Sequence, residues 1–143
     1  MTKFFGLFEG RRPERTASPG GRLAPLRPLP NAVSSQCDPR DDVHYIAPLQ
    51  IRGRPDAGWT RLAGTVRDMP GCRIVEERSD YLHAEFRSRF FGFVDDVEFA
   101  LDAESGLIHV RSAARLGRSD FGVNRRRVES IRRAAGFSAQ ASG

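Results

Sequence analysis

Apolar and polar residues alternate with period two along Val97, Phe99 and Leu101 against Asp96, Glu98 and Ala100, as in a strand with one buried face. Asp102 to Gly106 interrupts the alternation with turn residues, and Ile108 and Val110 against His109 and Arg111 resume it. A four-residue loop, Ala103 to Gly106, pairs Leu101 with Ile108, Phe99 with Val110 and Val97 with Ser112. The same register sets Glu98 opposite Arg111 on the other face, an opposite-charge pair worth roughly 0.2–1 kcal/mol. A five-residue loop would put Val97 against Arg111, so it is rejected.

Upstream, Leu82, Ala84 and Phe86 alternate with Tyr81, His83, Glu85, Arg87 and Arg89, which predicts a long strand from Tyr81 to Phe90. A tight Phe91-Gly92 turn would pair Phe90 with Phe93, Phe86 with Val97, Ala84 with Phe99 and Leu82 with Leu101. A shorter strand around Ile74 and Val75 precedes it, after a turn at Ser79-Asp80. The spacing of Trp59, Leu62, Ala63 and Val66 predicts a helix capped by Asp56 and stopped by Met69-Pro70-Gly71, with Trp59 as a core anchor. A second helix follows Asn124 as its expected N-cap, burying Val128, Ile131 and Ala135 and ending at Gly136, with Arg132 and Arg133 in the last turn. The expected fold is α+β: a four-stranded antiparallel meander with two helices on its apolar face.

The first residues change the picture least. Residues 9 to 30 are rich in Pro, Gly and Arg without periodicity, so 1–29 is expected to be a disordered basic tail, 30–137 the domain and 138–143 a disordered end. The net charge of +5 belongs mostly to that tail, where six basic residues face two acidic ones up to Pro30. In the body 17 basic residues interleave with 16 acidic ones, so nucleic-acid binding is not expected. Lys3 is the sole lysine; every other basic residue is arginine. No apolar run approaches the ~20 residues of a membrane span, and Phe4, Phe5, Leu7 and Phe8 make a poor signal peptide. A cytoplasmic protein is expected, with a weak membrane-surface contact by this N-terminal peptide as the second reading. Cys37 and Cys72 lack metal-ligand spacing, and no cofactor is indicated.

Four segments, PNAVSSQ, HYIAPL, DYLHAEFRSRFFGFVDDVEF and IHVRSAARLGRSDFGVNRRRVESIR, together resemble the bacterial and plastid family known as domain of unknown function 1499. The resemblance covers about residues 30 to 135, and the segments occur in the family's order. It implies no established reaction or ligand. The first motif often reads Pro-Asn-Cys, whereas Ala32 stands at the cysteine position here, so no thiol role carries over.

The predicted registers set charged rows on the sheet's other face: His83, Ala100 and His109; then Glu85, Glu98 and Arg111; then Arg87, Asp96 and Ala113. One reading is an internally neutralised face, Arg87 satisfying Asp96 and Arg111 bridging the glutamates. The segment after Asn31, with Ser34, Ser35 and Gln36, is expected to lie over it. The functional reading starts from Asn124-Arg125-Arg126-Arg127, cations at a helix N-terminus that the dipole disfavours. Their counter-charge is either internal, from Asp95, Asp120 or Glu129, or an external anion held with Arg111, Arg115, Asn124, Arg125 and Arg126. On this reading the chain is a non-catalytic binding or accessory module for an anionic ligand or acidic partner, with Asp96, Glu98, Glu85, His83 and His109 bordering the site. The alternative is an enzyme, metal-dependent in one version, centred on His83, His109 and the Glu85/Glu98 pair. Ser34, Ser35, His44, Asp95 and Asp96 supply further reactive types, but no motif sets their geometry.

Overall fold

The computed structural model describes residues 21–88, 92–117 and 119–139. Strands β3 (Cys72–Glu77), β4 (Tyr81–Arg87), β5 (Val94–Asp102) and β6 (Leu107–Ala114) form the predicted antiparallel meander. Shorter strands extend it beyond β6: β1 (Ala32–Ser34) and β2 (Leu49–Gln50) both pair with β6, and β7 (Ser138–Ala139) pairs with β2. The expected four-stranded sheet is therefore wider, because β6 offers an edge that these segments occupy. Ser138 and Ala139 belong to the sheet rather than to a loose end.

Helices α1 (Pro55–Arg67) and α2 (Val123–Ala135) cover one face. Trp59, Leu62 and Val66 of α1 and Val128, Ile131 and Ala135 of α2 share a core with Leu82, Ala84, Phe86, Val97, Phe99, Ile108 and Val110. Each fully buried large side chain in this layer contributes about 1.5–3 kcal/mol. Both predicted caps move. Arg54 is the N-cap of α1 because Pro55, which lacks an N–H, suits the first turn, and Asp56 lies inside the helix. Gly122 caps α2 with φ +80°, while Asp120 accepts hydrogen bonds from the Gly122 and Asn124 amides at 2.8 and 3.0 Å. Asn124 is thereby freed to point inward.

The β5–β6 register is as expected, with Glu98 opposite Arg111 and Phe99 opposite Val110. The β4–β5 register is not. Ala84 pairs with Val97 and Leu82 with Phe99, a slip of two residues from the predicted pairing, and Arg87 pairs with Val94. The connection closes early: the Ser88 amide donates to the Phe93 carbonyl at 2.7 Å, and Ser88 Oγ accepts from the Phe93 amide at 2.8 Å. Phe90 and Phe91, the predicted strand end and turn, lie outside the described residues. A slip of two keeps every side chain on its face, so the alternation that excludes an odd slip is blind to it.

Candidate functional site

On the face away from the helices the true rows are Tyr81, Ala100 and His109; His83, Glu98 and Arg111; and Glu85, Asp96 and Ala113. The glutamates Glu85 and Glu98 are therefore not opposite each other, and Tyr81 rather than His83 faces Ala100. Nor is this face open to water. His83, Glu85, Asp96 and Glu98 are all buried. Ser35, as expected of the segment after Asn31, and residues 21–29, which the sequence reading assigns to the tail, both lie over it; residues 1–20 lie outside the described residues. Leu23 packs on Tyr81 and Ala100, and its amide donates to Gln36 Oε1 at 2.8 Å. Arg111 Nε donates to the Ala24 carbonyl at 3.0 Å. Ser34 lies at the sheet edge opposite Arg111, and Ser35 Oγ meets His109 Nδ1 at 3.1 Å.

Burying charge is tolerable only where it is paired and hydrogen-bonded. Arg115, one step past β6 on the same face, supplies the cation. Its Nε donates to Asp96 Oδ2 at 2.6 Å and its Nη2 to Asp96 Oδ1 at 2.8 Å and to Glu85 Oε2. Asp96 Oδ1 also meets His83 Nε2 at 2.8 Å. Burial pushes the Asp96 carboxyl up, yet Arg115 and His83 outweigh it and hold the group below the usual carboxylate range. Burial likewise disfavours the Arg115 charge, but the two carboxylates hold its pKa above that of free arginine. Arg115, not Arg87, satisfies Asp96. In the neighbouring row Tyr81 donates its hydroxyl to Glu98 Oε2, and Arg111 Nη1 stands 3.7 Å from Glu98 Oε1.

The strap is held at its far end by His44. Its Nε2 meets the Leu29 carbonyl and its Nδ1 meets Asp41 Oδ2, each at 2.8 Å. With acceptors at both nitrogens the imidazolium is the form that satisfies both, and the Leu29 carbonyl, then Asp41, raise the His44 pKa. Burial lowers that of His109.

The remaining predicted site residues lie across the sheet. Asn124 is fully buried: its Nδ2 donates to the Asn31 carbonyl and Asp120 Oδ2, and its Oδ1 accepts from Ser112 Oγ and Arg127 Nη1. Arg127 reaches Asp95 at 2.7 Å, so two internal carboxylates, Asp120 and Asp95, face the start of α2. Burial raises the Asp95 pKa, with Arg127 opposing it. Arg125 and Arg126 donate to the backbone carbonyls of Val43 and Phe121. Arg111 and Arg115 are thus separated from Arg125 and Arg126 by the sheet and do not form one anion site with them.

His83 and His109 occupy different rows, so the predicted two-histidine dip over Ala100 does not form. Among the described residues no group of three His, Cys, Asp or Glu side chains is arranged to hold a metal ion. Cys37 and Cys72 are free and half-buried thiols whose pKa values burial raises. Sequence reasoning missed Tyr81 as the partner of Glu98, Arg115 as the centre of the buried network, and the Asp41–His44 pair. The signals were present: Arg111, Ala113 and Arg115 share a face by alternation, and Asp41 and His44 sit three apart.

The family described as protein of unknown function DUF1499 matches residues 22–134, most of the chain. The chain belongs to the DUF1499 family. The DUF1499 match includes the strap from Arg22 onward as well as the sheet and both helices, so the cover and the buried network fall within one family unit. No curated protein and no solved structure matches the chain. Among the described residues no helix is long and apolar enough to cross a membrane.

Proposed function

We propose that this DUF1499 domain is a non-catalytic binding module for a small anionic molecule, taken up in the cleft between the strap and β6. The supporting observation is a cleft of about 440 Å3 into which both Arg27 and Arg111 face, with Asn31 at its side and Arg115 and Asp96 at its floor. Arg115 is fully engaged by Glu85 and Asp96. Arg111 is different: burial lowers its pKa, Glu98 compensates only from 3.7 Å, and the nearby Arg27 charge opposes it further. Two guanidinium groups sharing a cleft favour a carboxylate or phosphate between them, which would accept from the fork of Arg27 and from the N–H groups of Arg111 not given to the Ala24 and Pro25 carbonyls. Arg27 is exposed and Arg111 is held by the Ala24 carbonyl, so the first supplies reach and the second a fixed anchor.

The test is thermal unfolding and calorimetric titration with inorganic phosphate and with succinate, against sodium chloride at matched ionic strength. A saturable rise in the midpoint with either probe is expected, following the logarithm of ligand concentration over Kd. Arg27→Gln, at an exposed position, should abolish that rise without unfolding the domain. A response no larger than that to chloride, or one unchanged in Arg27→Gln, would refute the proposal.

A further inference from the structure

The large apolar side chains left exposed among the described residues are Val43, Phe93, Leu116, Phe121 and Val123. They are not scattered. Phe93, Leu116, Phe121 and Val123 line one cleft of about 340 Å3 beside the start of α2, and Val43 is joined to the same end through Arg125, whose Nη2 donates to its carbonyl at 3.2 Å. Phe121 stands out most, at 86% exposure, with φ +53°, the one non-glycine residue among those described at positive φ. An aromatic side chain gains nothing from the fold there, while its left-handed backbone is costly for any residue with a Cβ. The Phe121 amide is tied to Ser119 Oγ and the following amide to Asp120 Oδ1, so the turn presents the ring outward by construction.

Cations stand beside these apolar tips. Arg126 is exposed and donates to the Phe121 carbonyl at 2.9 Å, and Arg125 reaches the Val43 and Asp42 carbonyls. Among the described residues neither forms an ion pair with a carboxylate, whereas Arg127 is neutralised by Asp95 within the cleft. Of the nearby acids, Asp41 is engaged by His44, Asp120 by the helix amides and Glu129, one turn on from Arg125, by Arg132, which leaves Asp42 as the exposed one without such a partner.

We propose that this end of the domain docks on an anionic phospholipid bilayer, with Phe121 entering the acyl boundary and Arg125 and Arg126 at the lipid phosphates. The charge pattern selects this occupant. Apolar prongs flanked by guanidinium groups match a surface whose anionic layer lies just above an apolar one. A protein partner needs a contiguous complementary face of about 800 Å2. A ring standing clear of the surface on a tight turn suits a deformable phase better. The site adjoins the Arg27–Arg111 cleft at Ala114 and Leu116, which line both, but Phe121, Arg125 and Arg126 lie outside that cleft.

The test is co-sedimentation of the full chain with phosphatidylcholine vesicles and with vesicles of phosphatidylcholine and phosphatidylglycerol, at low and high salt. Binding to the anionic vesicles alone, weakened by salt, is expected. Phe121→Asn suits the positive φ and so preserves the turn; it should lower partitioning at least about tenfold, the effect of one buried aromatic ring. Arg126→Gln should lower it about fivefold at low salt. Both variants should keep the wild-type response to phosphate and succinate. The proposal is overturned if the wild type does not sediment with anionic vesicles, or if Phe121→Asn sediments equally well. It is also overturned if Phe121 instead mediates self-association of the chain without vesicle binding.

Discussion

Replacing Arg115 by methionine would expose how the buried face is held together. The side chain is 4% exposed and its guanidinium joins two carboxylates, Glu85 and Asp96, each 3% exposed. Methionine fills much of the same volume, so packing loss is small and the effect is electrostatic. Removing one partner of a buried ion pair costs about 3–5 kcal/mol. A domain of this size has on the order of 5–15 kcal/mol in total, so Arg115→Met sits close to the unfolding threshold. Its pH dependence is the sharper signature. In the wild type Asp96 titrates below its unfolded value of 3.8, so the unfolded chain binds more protons in that range and stability is lost as pH falls through the folded pKa. Without Arg115, burial is opposed at Asp96 mainly by His83, so the Asp96 pKa rises, the native state binds more protons, and stability falls as pH rises above about 4. Urea denaturation from acid to neutral pH should therefore give slopes of opposite sign in the two proteins. A loss under about 1 kcal/mol, the range of an exposed pair, or parallel pH profiles, would refute the reasoning.

Three further substitutions test other parts of the account. His44→Gln should remove a pH-dependent contribution: since the folded pKa lies above 6.5, that contribution is fully present below pH 6.5 and lost as pH rises through the folded value, so the wild-type and variant midpoints should converge at alkaline pH. The acid facing His44 is Asp41, with Arg125 the opposing charge, and a variant whose deficit is constant with pH would contradict the double-donor reading. Asn124→Ala should cost about 2–3 kcal/mol in urea denaturation, because it leaves the buried Ser112 hydroxyl without its acceptor and opens a gap between β6 and α2, whereas a simple N-cap loss would cost about 1 kcal/mol. Gly71→Ala should destabilise by at least about 1–2 kcal/mol, since φ is +76° and a Cβ would lie 2.8 Å from the Arg87 carbonyl oxygen; an unchanged midpoint would show that this tight approach of β3 to β4 is not kept in solution.

Where the sequence was legible, two independent constraints agreed. Alternation and the Glu98–Arg111 charge pair demand the same β5–β6 register, and the structure has it. For β4–β5 the register came from the expected two-residue turn at Phe91-Gly92, and alternation, which cannot distinguish Ala84 opposite Phe99 from Ala84 opposite Val97, could not correct it. That slip is what moved His83 from Ala100 to Glu98 and dissolved the predicted two-histidine site. The strap was illegible for a different reason: from Gly21 to Leu29 a single deeply buried side chain, Leu23, anchors a Pro-rich segment, and further ties use its backbone, among them the Leu23 amide and the Ala24 and Leu29 carbonyls, which carry no side-chain signature. Asn124 misled because its cap preference is real, but Asp120 performs that task from outside the helix. The position of Phe121, a costly exposed ring, follows from backbone geometry that residue type would argue against.

The account rests on residues 21–29 packing over the charged face of the sheet at Tyr81, Ala100 and Arg111. Nuclear Overhauser contacts between the Leu23 methyl groups and the Tyr81 ring, recorded together with amide exchange at Leu23, read this directly. Strong cross-peaks and a protected Leu23 amide, bonded to Gln36, are predicted. Absent cross-peaks with a freely exchanging Leu23 amide would mean that the strap does not cover Tyr81 and Ala100, and the cleft between the strap and β6 would have to be abandoned.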